Sequence, residues 1–197
     1  MHHPPDTLHA RKRRKARAMI VSAAFQLFAE HGFENVTVAA IAERAEVGRT
    51  TFFRYFGDKQ QVLFADESTN VERMCQYVRE KVPRPPGRDL SAAIELIKEA
   101  GATTGIQTSL PLAHSTVLIR LLRESTELRS RYLLTRQQRA GRLAGVLTEV
   151  GVEEDVAVLA AHAAMACELT AMRMTDTPEV FPDHLDRAHE LLRSVAR

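Results

Sequence analysis

The chain has 197 residues, of which 45% are hydrophobic, and this is enough for one large or two small domains with a hydrophobic core. Its net charge of +2 is unevenly distributed, because residues 1–60 hold ten Lys and Arg against six Asp and Glu, and the remainder holds seventeen against nineteen. This asymmetry favours a basic DNA-binding head on a body that avoids DNA.

Two further features limit the class of protein. Cys75 and Cys167 are far apart and match no metal-ligand spacing, so we expect buried thiols in a reducing compartment and no metal site. No apolar run is expected to approach the ~20 residues that span a bilayer, and no apolar segment follows the basic N-terminus. The sequence therefore predicts a cytoplasmic protein without a membrane segment or a secretory signal.

Three helices are predicted behind a disordered tail at residues 1–10. The first runs from Arg11 to His31, and the second follows the capping residue Thr37. A turn at residues 46–48 leads to the third helix, Arg49–Phe56. Two short helices joined by a tight turn are typical of the helix-turn-helix motif, whose second helix enters the DNA major groove.

The rest of the chain is also predicted to be helical. A fourth helix is capped by Asp58, with Gln61 completing a capping box, and continues to about Lys81. The Pro83–Gly87 segment is the strongest break and is predicted to be a loop. No segment alternates with a period of two, so we predict an all-α protein of about nine helices. Its later helices are expected at Leu90–Thr104, Pro111–Arg123, Thr126–Val150, Glu153–Met174 and Pro182–Val195.

These elements predict a domain boundary at the end of the third helix. Residues 11–57 form a three-helix DNA-binding head, and residues 58–197 form a helical bundle, to which the family resemblance described below assigns ligand binding and dimerisation. Because the fourth helix is expected to be one rigid rod from Lys59 past Tyr77, a ligand at its far end would tilt its near end.

The first turn of the third helix carries the residues predicted to read DNA bases. Arg49 can donate two hydrogen bonds to guanine, and Thr50 and Thr51 can bond a base edge or pack on a thymine methyl group.

Four aromatic residues follow on the same helix. Phe52 and Phe56 are four residues apart and are expected to face the core. Phe53 and Tyr55 lie elsewhere on the helix and are expected to contact DNA. The alternative is that Phe53 and Tyr55 only help to close a three-helix core.

Cations near two helix starts are predicted to bind phosphate. A cation opposes the dipole at a helix N-terminus, so Lys59 is a poor structural choice there and a good phosphate ligand. The alternative for the basic start of the first helix is a solvated tail. The six cations in question are Arg11, Lys12, Arg13, Arg14, Lys15 and Arg17.

Together these segments resemble the N-terminal domain of the TetR family of transcriptional regulators over roughly residues 15–65. The segments are GFENVT at 32–37, IAERA at 41–45, TFFRYF at 51–56 and DK at 58–59. The resemblance implies an all-α homodimer that binds a palindromic double-stranded DNA operator and a small-molecule effector. The DNA contacts that it implies are Thr37, Arg49, Thr50, Thr51, Phe53, Tyr55 and Lys59.

Three positions depart from the family pattern. Glu46 stands where the family usually has Gly, and a left-handed backbone there would cost about 1 kcal/mol or more. Phe53 stands where Tyr is common, so a hydroxyl contact to phosphate is lost. Gly57 replaces the usual Pro.

The body is expected to supply a dimer interface and an effector pocket. The resemblance implies dimerisation through the last two helices, although their apolar faces can equally pack within one subunit. The predicted interface comprises Leu159, Ala163, Cys167, Leu185, Ala188 and Leu192. The predicted pocket comprises Met74, Tyr77, Ile106, His114, Leu118, Met165 and Met172, for which plain core packing is the alternative.

The function predicted is a ligand-responsive DNA-binding regulator, most simply a repressor, with no catalytic residue, cofactor or metal. A body that binds a protein partner instead of a metabolite is one alternative. An all-α enzyme is the other, but it would need paired acids, a nucleophile with a base, or a phosphate-binding loop, and the sequence has no such set.

Overall fold

The computed structural model describes residues 8–65, 67–81, 87–104 and 111–195. These residues form ten α-helices and no β-strand, which confirms the all-α prediction. The chain divides into two compact units, Met1–Ala65 and Asp66–Arg197. We call the first unit the head and the second unit the body.

The head contains four helices, and the body contains six. Those of the head are α1 (Leu8–His31), α2 (Val38–Arg44), α3 (Arg49–Tyr55) and α4 (Lys59–Leu63). Those of the body are α5 (Glu67–Lys81), α6 (Leu90–Thr103), α7 (Leu112–Glu124), α8 (Thr126–Glu149), α9 (Glu154–Met174) and α10 (Phe181–Val195).

Two predicted boundaries differ from the structure. Helix α1 begins at Leu8, earlier than the predicted Arg11, because residues 8–10 include good helix formers. The disordered tail predicted at residues 1–10 is therefore wrong for residues 8–10, and residues 1–7 lie outside the described residues. The division between units falls after Ala65 rather than after residue 57, because Val62 and Leu63 of α4 are buried in the head. Most of the predicted Pro83–Gly87 loop also lies outside the described residues.

The prediction of one continuous fourth helix is wrong. The amides of Phe64 and Ala65 donate to the carbonyls three residues earlier, at 3.2 and 3.3 Å, so the last turn of α4 tightens and the helix ends. A separate helix, α5, begins at Glu67. The tilt mechanism that assumed a single rod from Lys59 to Tyr77 therefore loses its basis.

The core of the head is built largely from phenylalanine. On α1, Ile20, Ala24 and Phe28 are fully buried. The Phe28 ring lies 5.0 Å from the Phe33 ring, a typical distance for an aromatic pair. Outside this core, Arg44 of α2 donates two hydrogen bonds to Glu30 of α1, at 3.0 and 3.2 Å.

Helix α9 contributes small residues to the core of the body. The buried residues of α9 are Ala157, Ala160, Ala161, Ala164, Cys167 and Ala171, and they pack against α6, α8 and α10. Small side chains let neighbouring helices approach closely. The same helix corrects an expectation, because its 21 residues are long and apolar enough to cross a membrane. Core helices of globular proteins meet the same criteria of length and composition, so this helix alone does not indicate a membrane segment.

The turn between α2 and α3 has a left-handed residue that is not glycine. Glu46 has φ of +53°. Its amide donates to the Glu43 carbonyl at 3.0 Å, and the Val47 amide donates to the Ala42 carbonyl at 2.9 Å. This is the Schellman pattern, in which the left-handed residue is usually glycine. The end of α8 uses the same pattern with Gly151, whose φ is +96°.

Replacing Glu46 with Gly is expected to stabilise the protein by about 0.5–1 kcal/mol, because the relief of left-handed strain exceeds the added entropy of the unfolded chain. Thermal unfolding measures the change. Glu43→Gly is the matched control: it places glycine inside α2 and should destabilise by about 1 kcal/mol. A Glu46→Gly variant that melts below the wild type would contradict the assignment.

Candidate functional site

Helix α3 presents its first turn to solvent because two of its phenylalanines are anchored. Phe52 is 0% and Phe56 is 3% exposed, as predicted. Arg49 and Thr50 are exposed, and Thr51 is half-buried. The helix begins after Gly48, whose carbonyl accepts from the Thr51 amide at 2.8 Å. The residues predicted to read bases are thus brought together at one end of α3.

The remaining aromatic residues of α3 lie toward the surface. Phe53 is 51% exposed, and its ring contacts the edge of Phe52 at a centroid distance of 5.5 Å. Tyr55 is half-buried, and the Arg54 guanidinium lies 5.3 Å from its ring. An exposed phenylalanine beside arginines is suited to contact with sugars or thymine methyl groups.

Thr37 performs the predicted capping role. Its hydroxyl oxygen accepts from the Ala40 amide at 3.1 Å, at the start of α2. The hydroxyl proton is not used in that bond, so Thr37 can also donate to an external acceptor.

Lys59 lies in a different environment from the one predicted. Its ammonium donates to the carbonyls of Phe33 at 2.7 Å, Val36 at 3.0 Å and Glu34 at 3.4 Å. It also lies 4.3 Å from the centre of the Phe33 ring. An ammonium has three hydrogens to donate, and all three have partners in the loop between α1 and α2. This placement favours an internal role over a phosphate contact.

Gly57 has a specific role at the start of α4. Its backbone amide donates to the side-chain oxygen of Gln61 at 2.9 Å. In return, the backbone amide of Gln61 donates to the Asp58 carboxylate at 2.8 Å. The predicted capping interaction is therefore present, with Gly57 rather than Asp58 as the returning donor. Proline, the usual family residue, has no amide hydrogen and could not make this bond.

A basic groove lies beside α3 in the head. Lys12, Arg13 and Ala16 of α1 line it together with Arg54 and Tyr55, and its volume is about 500 Å³. Both α1 cations are exposed. The helical start of α1 thus holds cations next to the aromatic end of α3, where a phosphate chain can be met electrostatically.

A cavity of about 100 Å³ lies within the body, and we call it the charged cavity. Of the predicted pocket residues, only Leu118 and Met172 line it. Its wall is formed by Ser115, Leu118, Ile119, Tyr132, Arg136, Arg139, Glu168, Met172, Pro178, Phe181 and Leu185.

The other predicted pocket residues lie elsewhere. Met74 is fully buried in the close-packed core, and Met165 packs against that core, so the alternative of plain core packing holds for both. The Tyr77 hydroxyl lies 3.4 Å from the Glu99 carboxylate. His114 is half-buried near the start of α7, and Ile106 lies outside the described residues.

Four charged side chains meet at the charged cavity. One Arg136 nitrogen lies 2.9 Å from both carboxylate oxygens of Glu67. Arg139 lies 3.6 Å from Glu67 and also pairs with Glu168. The Arg136 guanidinium stacks on the Tyr132 ring at 4.6 Å. Burial, together with the neighbouring charge of Arg136, lowers the pKa of Arg139 to about 10, so it stays protonated at neutral pH.

Sequence reasoning missed this cluster, although a signal was present. Tyr132, Arg136 and Arg139 continue the helical spacing of the buried residues Leu128 and Leu143 on α8. Arginines on the apolar face of a helix are unusual unless they are paired.

A second and larger cavity adjoins the charged cavity. Its volume is about 490 Å³, and it shares Ile119, Tyr132 and Met172 with the first. The rest of its wall is Leu122, Arg123, Arg129, Leu133, Leu169 and Arg173. We call it the outer cavity.

The predicted dimer interface requires correction at three positions. Cys167, Leu185 and Ala188 are buried against one another and Ala171 within a single chain, so they cannot offer area to a partner. Ala163 and Leu192 are half-buried. Only Leu159 is well exposed, at 55%. The exposed apolar residues on these helices include Leu159, Ala166 and Leu191.

Comparison with known proteins identifies the head. Residues 20–65 match the family described as bacterial regulatory proteins, tetR family. The chain is 30% identical over 156 residues to the HTH-type transcriptional regulator TcmR of Streptomyces glaucescens, an alignment that covers 75% of this chain and 66% of TcmR. The chain thus spans about two thirds of the length of that relative.

Solved structures share the fold over nearly the whole chain. A TetR-family regulator from Syntrophomonas wolfei superposes with a TM-score of 0.60 at 20% identity, covering 93% of this chain and 95% of that one. Thermus thermophilus FadR, a TetR-family repressor in complex with lauroyl-CoA, gives 0.53 at 23% identity, covering 89% and 92%. At these identities the likeness concerns the fold alone. The helix-turn-helix of the head, the family match over residues 20–65 and the similarity to TcmR show that this chain belongs to the TetR family of transcriptional regulators.

Proposed function

We propose that this protein is a homodimeric repressor that binds a two-fold symmetric DNA operator and leaves it when a small molecule occupies the body. The observation that carries the proposal is the exposed first turn of α3, with Arg49 and Thr50 outward on a helix anchored by Phe52 and Phe56. In a helix-turn-helix protein this turn contacts base edges in the major groove.

The proposed DNA contacts fall into two groups. Arg49, Thr50 and Thr51 read bases, with Arg49 donating two hydrogen bonds to a guanine. The groove cations Lys12 and Arg13 bind phosphates. Contacts to phosphates or sugars are proposed for three more side chains, those of Thr37, Phe53 and Tyr55.

Lys59 is assigned to the integrity of the head. Its ammonium joins the start of α4 to the loop that follows α1, through the three carbonyls and the Phe33 ring. This replaces the phosphate contact expected from its position in the sequence.

The effector is proposed to bind in the two adjoining cavities of the body. Their sizes, about 100 and 490 Å³, together suit a small organic molecule. The fold neighbour FadR, crystallised with lauroyl-CoA, supports a ligand-binding body. A regulator of this kind needs no catalytic step, because differential binding to two states is sufficient. Its place is the cytoplasm, where bacterial DNA lies.

Dimerisation is proposed through the exposed residues of α9 and α10, with Leu159, Ala166 and Leu191 replacing the buried residues of the original prediction. A two-fold dimer would present two copies of α3 to successive major grooves, about 34–36 Å apart.

Selection from random duplex DNA is expected to return a two-fold symmetric site. With Arg49→Ala, affinity should fall by about 1–3 kcal/mol, and one base position in each half-site should become degenerate. Arg13→Ala is the contrast, since loss of a phosphate contact should weaken all sequences equally and reduce the salt slope. If Arg49→Ala lowered the affinity for all DNA sequences equally and left the preferred sequence unchanged, Arg49 would not read a base.

Lys59→Met is expected to destabilise the head by about 1.5–3 kcal/mol, because hydrogen bonds from a charged donor are lost. The salt dependence of DNA binding should be unchanged at a temperature where the variant is folded. Lys12→Met is the matched control, with unchanged stability and a smaller salt slope. Circular dichroism measures the stability, and DNA titrations over a salt series measure the salt slope. If Lys59→Met kept its stability but lowered the salt slope, Lys59 would be a phosphate contact instead.

The double variant Leu159→Asp/Leu191→Asp is expected to be monomeric, because buried carboxylates would have to lose their hydration at the interface. Sedimentation velocity measures the state, and operator affinity should fall with it. Leu134→Asp, a change of an equally exposed leucine on α8, should leave the dimer intact. A dimeric double variant would place the interface on other helices.

A further inference from the structure

The lining of the two body cavities is strongly unbalanced in charge. Its charged members are the arginines at 123, 129, 136, 139 and 173, together with a single carboxylate, Glu168. The remaining lining residues are mainly apolar, among them Leu118, Phe181 and Leu169. A wall of this composition favours an apolar ligand with a negative charge.

The buried end of this space holds arginines whose partners are internal carboxylates. Arg139 is 4% exposed and pairs with Glu168, which is 20% exposed and the most accessible of the four charged groups. Glu67 bonds to Arg136 through both oxygens at 2.9 Å. Glu168 therefore occupies the position on Arg139 that another carboxylate would take, and it is the carboxylate best placed to move toward solvent.

The outer cavity adds Arg123, which pairs with Asp176 at 2.8 Å, and two further arginines that bond to no carboxylate of the described residues. Arg129 bonds to the Leu122 carbonyl at 3.5 Å and the Thr126 hydroxyl at 3.0 Å, and neither group is charged. Within the part of the chain that the structure describes, Arg173 has no carboxylate partner. These two cations attract an anion to the outer cavity, which shares lining residues with the charged cavity.

We propose that these cavities bind an apolar monocarboxylate, whose carboxylate displaces Glu168 from Arg139 while its hydrocarbon part fills the outer cavity. This rests on the proposed function, since it names the chemical class of the effector. A guanidinium group can donate two parallel hydrogen bonds to a carboxylate. When the ligand carboxylate replaces that of Glu168, the number of buried charges stays the same. A ligand ammonium would instead face five arginines, and an uncharged ligand would leave the internal pairs in place.

The exchange also reaches the start of α5. Glu67 is the first residue of α5 and follows the division after Ala65 by two positions. Because Arg139 lies 3.6 Å from Glu67 as well, a new carboxylate on Arg139 alters the charge balance that holds the start of α5.

The test compares octanoate, octylamine and octanol as probes, with thermal shift and titration calorimetry on the full chain. Octanoate alone is expected to bind and to stabilise the protein. Glu168→Gln should tighten octanoate binding by about tenfold, because the amide competes poorly for Arg139. Glu72→Gln, on the exposed surface of α5 where Glu72 pairs with Arg142, is the matched control and should change nothing.

The opposite sign would overturn the proposal. If octylamine binds and Glu168→Gln abolishes that binding, then Glu168 is the anchor of a cation site. Equal binding of all three probes, or no binding of octanoate, also rejects the anion site. Should Glu168→Gln fail to fold, Arg139→Lys preserves the charge but not the paired donors, and octanoate should then bind about tenfold more weakly. Unchanged affinity in Arg139→Lys would reject Arg139 as the anchor.

Operator titrations separate this proposal from the proposed function. If octanoate binds the protein but does not release it from the operator, the anion site stands, and control of repression by such acids is rejected. Failure to bind any selected operator would reject the proposed repressor while leaving the cavity result unaffected.

Discussion

The burial of Phe52 and Phe56 is the constraint on which the DNA-facing surface depends. Helix α3 has seven residues, too few to be stable in isolation. Two buried rings, four positions apart, hold its rotation about its own axis against the rest of the head. Once that rotation is set, Arg49, Thr50 and Phe53 have to face outward. The core residues and the residues proposed to read bases therefore lie on opposite sides of one short helix.

The turns around α3 show how the head tolerates unfavourable residues near this surface. Glu46 occupies a left-handed position that glycine would occupy with less strain, and its neighbours satisfy the last carbonyls of α2. At the other end of α3, Gly57 uses an amide that proline lacks. Lys59 then connects α4 to the loop before α2. Two of the three departures from the family pattern, Glu46 and Gly57, thus take part in local hydrogen bonds that accommodate them.

The body combines a core of small residues with a buried group of charges. Alanines on α9 allow α6, α8 and α10 to pack closely around it. A cavity remains near Tyr132, where Arg136 and Arg139 stand beside apolar side chains in the wall. Buried ion pairs contribute little net stability compared with apolar residues of the same volume. Their presence in a cavity wall is therefore more simply explained by recognition than by folding.

The sequence by itself determined the helical class, the helix-turn-helix, and the inward and outward sides of α3, because these follow from local periodicity, capping residues and the spacing of aromatics. It also located Thr37 as a cap and Glu46 as a strained turn. The break between α4 and α5, the partners of Lys59, the burial of Cys167 and Leu185 within one chain, and the cluster around Arg139 were decided only by the tertiary structure. In each of these cases the outcome depends on which distant side chain or carbonyl is brought within contact distance, and helical spacing carries no information about that choice.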